Sequence, residues 1–157
     1  MPEVGDKAPA FASLDTQGEP ITLDEFAGRT LVLYFYPKDS TPGCTTEAQE
    51  FRDLHGEFEA LGAAIVGVSR DSVKTHQKFA TNQCLPFRLL ADTDETVCKA
   101  YDVIHEKSFM GRIGLGIVRT TYVIGPDGTI RAKYPKVSVK GHAAEVLNAV
   151  REVSKGS

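Results

Sequence analysis

One cysteine of this sequence sits where its neighbours can make it react. Cys44 lies in the segment Pro37-Lys-Asp-Ser-Thr41-Pro-Gly-Cys44-Thr-Thr-Glu47. A thiol reacts as its thiolate, and a free cysteine is mostly protonated near neutral pH. The unpaired N–H groups and the dipole of a helix N-terminus stabilise the anion. Pro42 fixes the entry to such a turn, and Gly43 lets the backbone come close to a small ligand. Thr41 can turn its hydroxyl toward a thiolate or a bound oxygen, and Glu47 suits the dipole of a first turn. Buried cysteines are commonly small packed hydrophobes, which is the competing reading of Cys44. Placement at a helix start favours the reactive one.

The elements that must position Cys44 follow from patterning. Residues 31–36 form a continuous apolar run rich in β-formers and predict a strand buried on both faces. Apolar residues then recur at Ala48, Phe51, Leu54, Phe58 and Leu61, predicting one helix that stops at Gly62. Residues 63–69 predict a second buried strand, and Asp71 or Ser72 caps a helix to about Gln83. Residues 87–91 predict a third strand, followed by a helix from Thr93 or Asp94 to about Tyr101. Two hairpins are expected, one over 11–14 and 20–23, the other over 120–124 and 129–133 around Gly125-Pro-Asp-Gly128. A last helix, 142–153, carries Ala143, Val146, Leu147 and Val150 on one face. Strands alternating with helices imply βαβ crossovers and a mixed α/β sheet with helices on both faces. Ligands bind such sheets beyond the carboxyl ends of the parallel strands. Cys44 falls there.

Bulk composition narrows the class. The 157 residues fit one domain (1–157), and 41% hydrophobic with 25% charged residues is the balance of a soluble globular protein. A net charge of −3 argues against a dedicated nucleic-acid binder. The N-terminus has no apolar core of a secretory signal, and no apolar run is long enough to span a bilayer, so no membrane partner is expected. Three cysteines, an odd number, argue against a disulfide framework and for a reducing, cytoplasmic setting. With no CxxC and no HxxxH, neither a metal nor another cofactor is expected.

Pro37-x-x-x-Thr41-x-x-Cys44 resembles the peroxiredoxin active-site motif. The longer string from Tyr36 to Glu47, with Phe51 and Arg52 following, is similar to the bacterioferritin comigratory protein (PrxQ) subfamily. The similarity extends through Gly5-Asp-Lys-Ala-Pro9, Val66-Gly-Val-Ser69, Leu89-Leu-Ala-Asp92, Glu106-Lys-Ser-Phe-Met-Gly111 and Gly116-Ile-Val-Arg119. The resemblance implies a thioredoxin-like fold with an N-terminal β-hairpin extension. It implies that Cys44 attacks a hydroperoxide and becomes a sulfenic acid. Thr41 would hydrogen-bond thiolate and peroxide, Pro37 would shield the sulfur from water, and the family's arginine maps onto Arg119. A fixed guanidinium can stabilise the charge that develops as the O–O bond breaks. Read without the family, Arg119 is a strand-edge arginine whose default is solvation. Glu47 reads as a supporting residue that orients an arginine. Thioredoxin or another small thiol would be the reductant, and the protein a monomer.

The resetting step stays open in the sequence. One form of the family places a resolving cysteine five residues after the first, where this chain has Gln49. Another places it in the helix after the second central strand, at the position of Ala80; the thiol nearest to it here is Cys84, one turn later. Cys84 would reach Cys44 only if both ends unwind, because a disulfide needs Cα atoms within about 7 Å. The alternative is a one-cysteine enzyme. Cys98 has the spacing of a packed, inert residue. A thiol–disulfide oxidoreductase lacks its CxxC here, a cysteine hydrolase lacks a histidine signature near Cys44, and nothing singles out a redox-linked binding or holdase module.

Overall fold

Strongly apolar runs become the interior strands. The computed structural model describes residues 2–109 and 111–155; Met1, Met110 of the string 106–111, Gly156 and Ser157 lie outside them. In chain order the elements are β1 (Ala12–Asp15), β2 (Pro20–Thr22), β3 (Thr30–Phe35), α1 (Pro42–Asp53), α2 (His55–Ala60), β4 (Ala63–Ser69) and α3 (Val73–Gln83). There follow β5 (Arg88–Ala91), α4 (Thr96–Ala100), β6 (Ile104–Phe109), β7 (Arg112–Ile117), β8 (Thr120–Ile124), β9 (Ile130–Pro135) and α5 (His142–Lys155). Seven strands form one sheet in the order β2-β1-β5-β4-β3-β8-β9. β3, β4 and β5 run parallel, while β8, β9, β1 and β2 pair antiparallel. This is the mixed sheet expected from the alternation of elements.

All six residues of β3 are buried, so both faces of the sheet must be covered. On one face Val32 and Tyr34 pack with Phe51 of α1, Phe58 of α2, Phe79 of α3 and Val146 of α5. On the other, Leu31, Leu33 and Phe35 pack with Val97 and Cys98 of α4 and with Phe26. Tyr34 stacks on Phe51 at a centroid distance of 4.7 Å, which seats α1 on the sheet. Gly67 of β4 makes room for it, since a Cβ there would lie 2.8 Å from the Tyr34 hydroxyl and 2.9 Å from Leu89 Cδ2.

Three features depart from the sequence reading. The single helix expected up to Gly62 breaks at Leu54, whose φ of −99° and ψ of 2° end α1 before α2 begins. Asp53 and Gly56 flank the break, and both are weak helix formers. The break lets Phe51 and Phe58 both reach the core, 6.0 Å apart. Helix α4 starts late because Asp92 caps it from outside, accepting from the N–H groups of Val97 at 3.0 Å and Cys98 at 2.7 Å. The hairpin β6–β7 was not expected at all. It forms a sheet of its own, and Gly114 and Gly116 with the charged residues of β6 blur its alternation. No helix among the described residues is long and apolar enough to cross a membrane.

Gly67→Ala should therefore cost about 1–3 kcal/mol through overpacking. The melting temperature should fall by about 2–10 °C for a chain of this size. An unchanged melting temperature would show that Tyr34 and Leu89 can yield, against the packing described.

Candidate active site

The carboxyl end of β3 delivers the chain into α1. Thr41 is the N-cap residue in extended conformation, Pro42 is the first helical residue, and the Thr45 N–H closes the first turn on the Thr41 carbonyl at 2.9 Å. The N–H groups of Gly43 and Cys44 are left without an intrahelical acceptor, a local environment suited to an anion. Cys44 is buried, with 1% of its surface exposed.

Arg119 arrives from the neighbouring strand. β8 runs antiparallel to β3 with Thr120 opposite Phe35, so the residue before β8 lies beside the start of α1. Its Nη2 donates to Cys44 Sγ at 3.1 Å and its Nη1 to Glu47 Oε1 at 3.0 Å. One guanidinium thus bridges a thiol and a carboxyl one helical turn apart. The guanidinium thereby sets a positive charge beside a buried sulfur. Gly43 permits the approach, since a Cβ there would stand 2.8 Å from Arg119 Nη2. The expected ligand for that close approach was a small molecule; the structure puts the guanidinium there.

Glu47 is 2% exposed, and its Oε2 finds no hydrogen-bond partner among the described residues. Burial pushes its carboxyl up to about 7, against the lowering effect of Arg119. Thr41 is half-buried, and its hydroxyl donates to the Lys38 carbonyl at 2.8 Å rather than to the sulfur. Pro37 lines a groove of about 580 Å³ together with Lys38, Arg70, Lys107, Ile113 and Leu115.

Cys84 stands apart from this cluster. It is exposed, caps the C-terminus of α3 in the left-handed region (φ 53°), and is a free thiol like Cys44. The residue before it is tied to α1, because Gln49 Nε2 donates to Gln83 Oε1 at 2.9 Å and Arg52 Nη1 to the Gln83 carbonyl at 2.9 Å. Gln49 lies five residues, about 7.5 Å of helix axis, from Cys44. Cys98 is fully buried, and burial pushes its thiol far above the usual range.

The sequence reading missed two groups at this site. Lys107 borders the groove with its Nζ on the Ile117 carbonyl at 2.9 Å, and burial followed by the nearby Arg119 holds its ammonium below the usual lysine range. Its strand was itself unrecognised. Asp39, Asp71 and His76 converge closely enough to resemble a metal site. Their ligand atoms are instead engaged with one another and with Tyr36 and Ser69. The contacts of Asp39 with Asp71 and His76 join residues 32 and 37 positions apart and follow no local sequence pattern.

Two outcomes test the bridge. The folded protein keeps the Glu47 proton up to about 7, whereas the unfolded chain releases it near the ordinary 4.5. The native state then binds more protons between those values, so this group makes stability fall as pH rises through the window and level off above it. The slope is on the order of 1 kcal/mol per pH unit. The melting temperature of Glu47→Gln relative to the wild type should therefore rise from pH 5 to pH 8; a constant difference would contradict the assignment. Gly43→Ala should fold normally yet slow the reaction of Cys44 with thiol reagents, because the added methyl displaces Arg119. Wild-type reactivity in that variant would contradict the close approach.

Residues 4–133 match the model of the AhpC/TSA family. The chain is 49% identical over 145 residues to a putative peroxiredoxin bcp of Coxiella burnetii, covering 92% of this chain and 96% of that protein. It is 44% identical over 153 residues to peroxiredoxin Bcp of Bacillus subtilis, covering 98% of each. Among solved structures, peroxiredoxin Q of Xanthomonas campestris superposes with a TM-score of 0.88 at 47% identity, covering 92% of this chain and 91% of that one. A cysteine-to-serine mutant of PrxQ from Xylella fastidiosa gives 0.91 at 42% identity over 97% of each chain. The chain therefore belongs to the AhpC/TSA family, as a peroxiredoxin of the Bcp or PrxQ type.

Proposed function

We propose that Cys44 is the peroxidatic residue of this thiol peroxidase, and that Arg119, Thr41, Pro37, Gly43 and Glu47 support it. The observation that carries the reading is the Arg119 bridge, with Nη2 3.1 Å from Sγ while Nη1 is anchored on Glu47. The thiolate attacks the terminal oxygen of a hydroperoxide. The S–O bond forms as the O–O bond breaks, sulfur is oxidised to a sulfenic acid, and the departing alkoxide or hydroxide takes a proton to leave as alcohol or water. Negative charge passes from sulfur to the leaving oxygen, so a guanidinium fixed beside the sulfur stabilises the transition state. The Thr41 hydroxyl, its proton committed to the Lys38 carbonyl, still has lone pairs that can accept from a peroxide O–H. Pro37 stands at the mouth of the groove and limits water.

Both hydrogen peroxide and organic hydroperoxides fit this reading. Ile113 and Leu115, 74% and 69% exposed, give the groove an apolar wall for an alkyl chain. The bacterioferritin comigratory protein of Xanthomonas campestris, 46% identical over 92% of this chain, is described in terms of alkyl peroxide reduction activity. An external thiol, thioredoxin or a smaller one, then attacks the Cys44 sulfenic acid. A second route, through Cys84, is favoured by the exposure of that thiol at a helix end. We further propose a monomeric, cytoplasmic protein of one domain (1–157) that works without a cofactor, in keeping with its three free cysteines.

Cys44→Ser should consume no peroxide above background, and retained turnover would overturn the assignment. Arg119→Met should slow Cys44 oxidation by about 10²-fold, the scale of losing one transition-state donor. For the resetting step, peptide mass spectrometry without reductant after one equivalent of hydrogen peroxide is decisive. A Cys44–Cys84 cross-link means the internal route, and sulfenic acid throughout means the external one.

A further inference from the structure

We propose that His76 is a positioning residue for the peroxide step: through Asp39 it fixes the segment 37–41, which carries Pro37 and Thr41, onto α3 and β5. The proposal rests on the reading of Cys44 as the peroxidatic thiol and adds a residue remote from the sulfur to that site.

The segment has little else to hold it. Lys38 and Ser40 are exposed, and Ser40 adopts a φ of 62°, a left-handed conformation that costs about 1 kcal/mol or more outside glycine. Asp39 alone among residues 38–41 turns fully inward, with a side chain 0% exposed. A buried carboxyl persists only when its oxygens are satisfied. Tyr36 Oη donates to Oδ1 at 2.5 Å, and His76 Nδ1 lies 2.6 Å from Oδ2. The Asp39 N–H donates to Asp71 Oδ2 at 2.9 Å, and that oxygen also accepts from Ser69 Oγ at 2.6 Å.

Proton accounting fixes how the clasp is wired. The Leu90 carbonyl can only accept, so His76 Nε2, 3.0 Å away, carries a proton. Nδ1 faces Asp39 Oδ2 at 2.6 Å, so both ring nitrogens are occupied. A continuous run of bonds leads from β5 through His76 of α3 to Asp39. It continues to the Lys38 carbonyl that holds the Thr41 hydroxyl at 2.8 Å. Releasing Asp39 loosens Pro37 and the Lys38 carbonyl on which the Thr41 hydroxyl rests, while the Thr41 carbonyl stays bonded to the Thr45 N–H and the Arg119 contact to the sulfur is untouched. The peroxide pocket and the thiolate are therefore held by separate sets of bonds.

That separation gives the test. Two rate constants of Cys44 are measured on the same folded protein at pH 7, one with hydrogen peroxide and one with iodoacetamide, which needs the thiolate but not the peroxide pocket. His76→Phe fills the ring volume and loses both bonds. It should slow the peroxide reaction about tenfold or more, the scale of a small misplacement of a reacting group, while alkylation stays within about threefold. Asp39→Asn can accept from Tyr36 and donate to Nδ1 of the Nε2–H ring, so it should keep far more of the peroxide rate than Asp39→Ala does. A purely structural role would lower both rates together or neither, and either result overturns the proposal, as does equal loss in Asp39→Asn and Asp39→Ala. Should His76→Phe fail to fold, His76→Gln, able to make only one of the two bonds, is read by the same ratio, and a wild-type ratio overturns the proposal. A wild-type Cys44 that alkylates but ignores peroxide would instead remove the underlying reading, and this inference with it.

Discussion

A single guanidinium between two potential anions organises this molecule's chemistry. Arg119 donates to Cys44 Sγ and to Glu47 Oε1 from adjacent nitrogens, with its own side chain 20% exposed and that of Glu47 2% exposed. One cation cannot fully compensate two buried negative charges, so a guanidinium shared in this way favours at most one anion beside it. Burial outweighs Arg119 at the carboxyl and raises it to about 7. When Glu47 holds its proton, Oε1 still accepts from Nη1 and keeps the guanidinium aimed at the sulfur.

That arrangement imposes demands on distant parts of the fold. β3 and β8 must be neighbours and antiparallel, or Arg119 would not lie beside the start of α1. Residue 43 must lack a side chain. Helix α1 must be seated without play, which the stack of Phe51 on Tyr34 and of Tyr34 toward Tyr36 provides at 4.7 and 5.5 Å. Sites held on helices and strands keep sub-ångström geometry better than sites on loops. Here the sulfur, Glu47 and Arg119 sit in or beside regular elements. Thr41 and Pro37 are on the connecting segment, and that segment carries its own buried clasp.

Much of this was legible in the sequence, for reasons that separate cleanly. The Cys44 environment could be read because its determinants are local: an apolar strand, then Thr-Pro-Gly, then helical spacing. Arg119 was found only through the family resemblance, since nothing around Val118-Arg-Thr marks it as other than a solvated strand edge. Residues whose meaning is purely tertiary stayed hidden. Asp39 and His76 are 37 positions apart and meet only after α3 packs on the sheet. The hairpin β6–β7 escaped because the glycines of β7 and the charged residues of β6 mask the alternation of Ile113, Leu115 and Ile117. The break at Leu54 escaped because apolar spacing reports which side chains face the core, not whether the backbone between them stays helical.

The same geometry bears on how the oxidised enzyme would be reset. Cys84 is on the right helix, yet its predecessor Gln83 is bound twice to α1, by Gln49 and Arg52. Those bonds hold the end of α3 against α1 more than a helical turn beyond the Cys44 position. An internal disulfide would have to break both of them, unwind the first turn of α1, and draw Cys44 away from Arg119. Each lost contact is individually modest, on the order of 1 kcal/mol, but they must be lost together. An external thiol faces a different obstacle, since the sulfur it must reach is 1% exposed. The two routes therefore place different demands on the fold: the internal one needs the end of α3 released from α1, and the external one needs a buried sulfur made accessible.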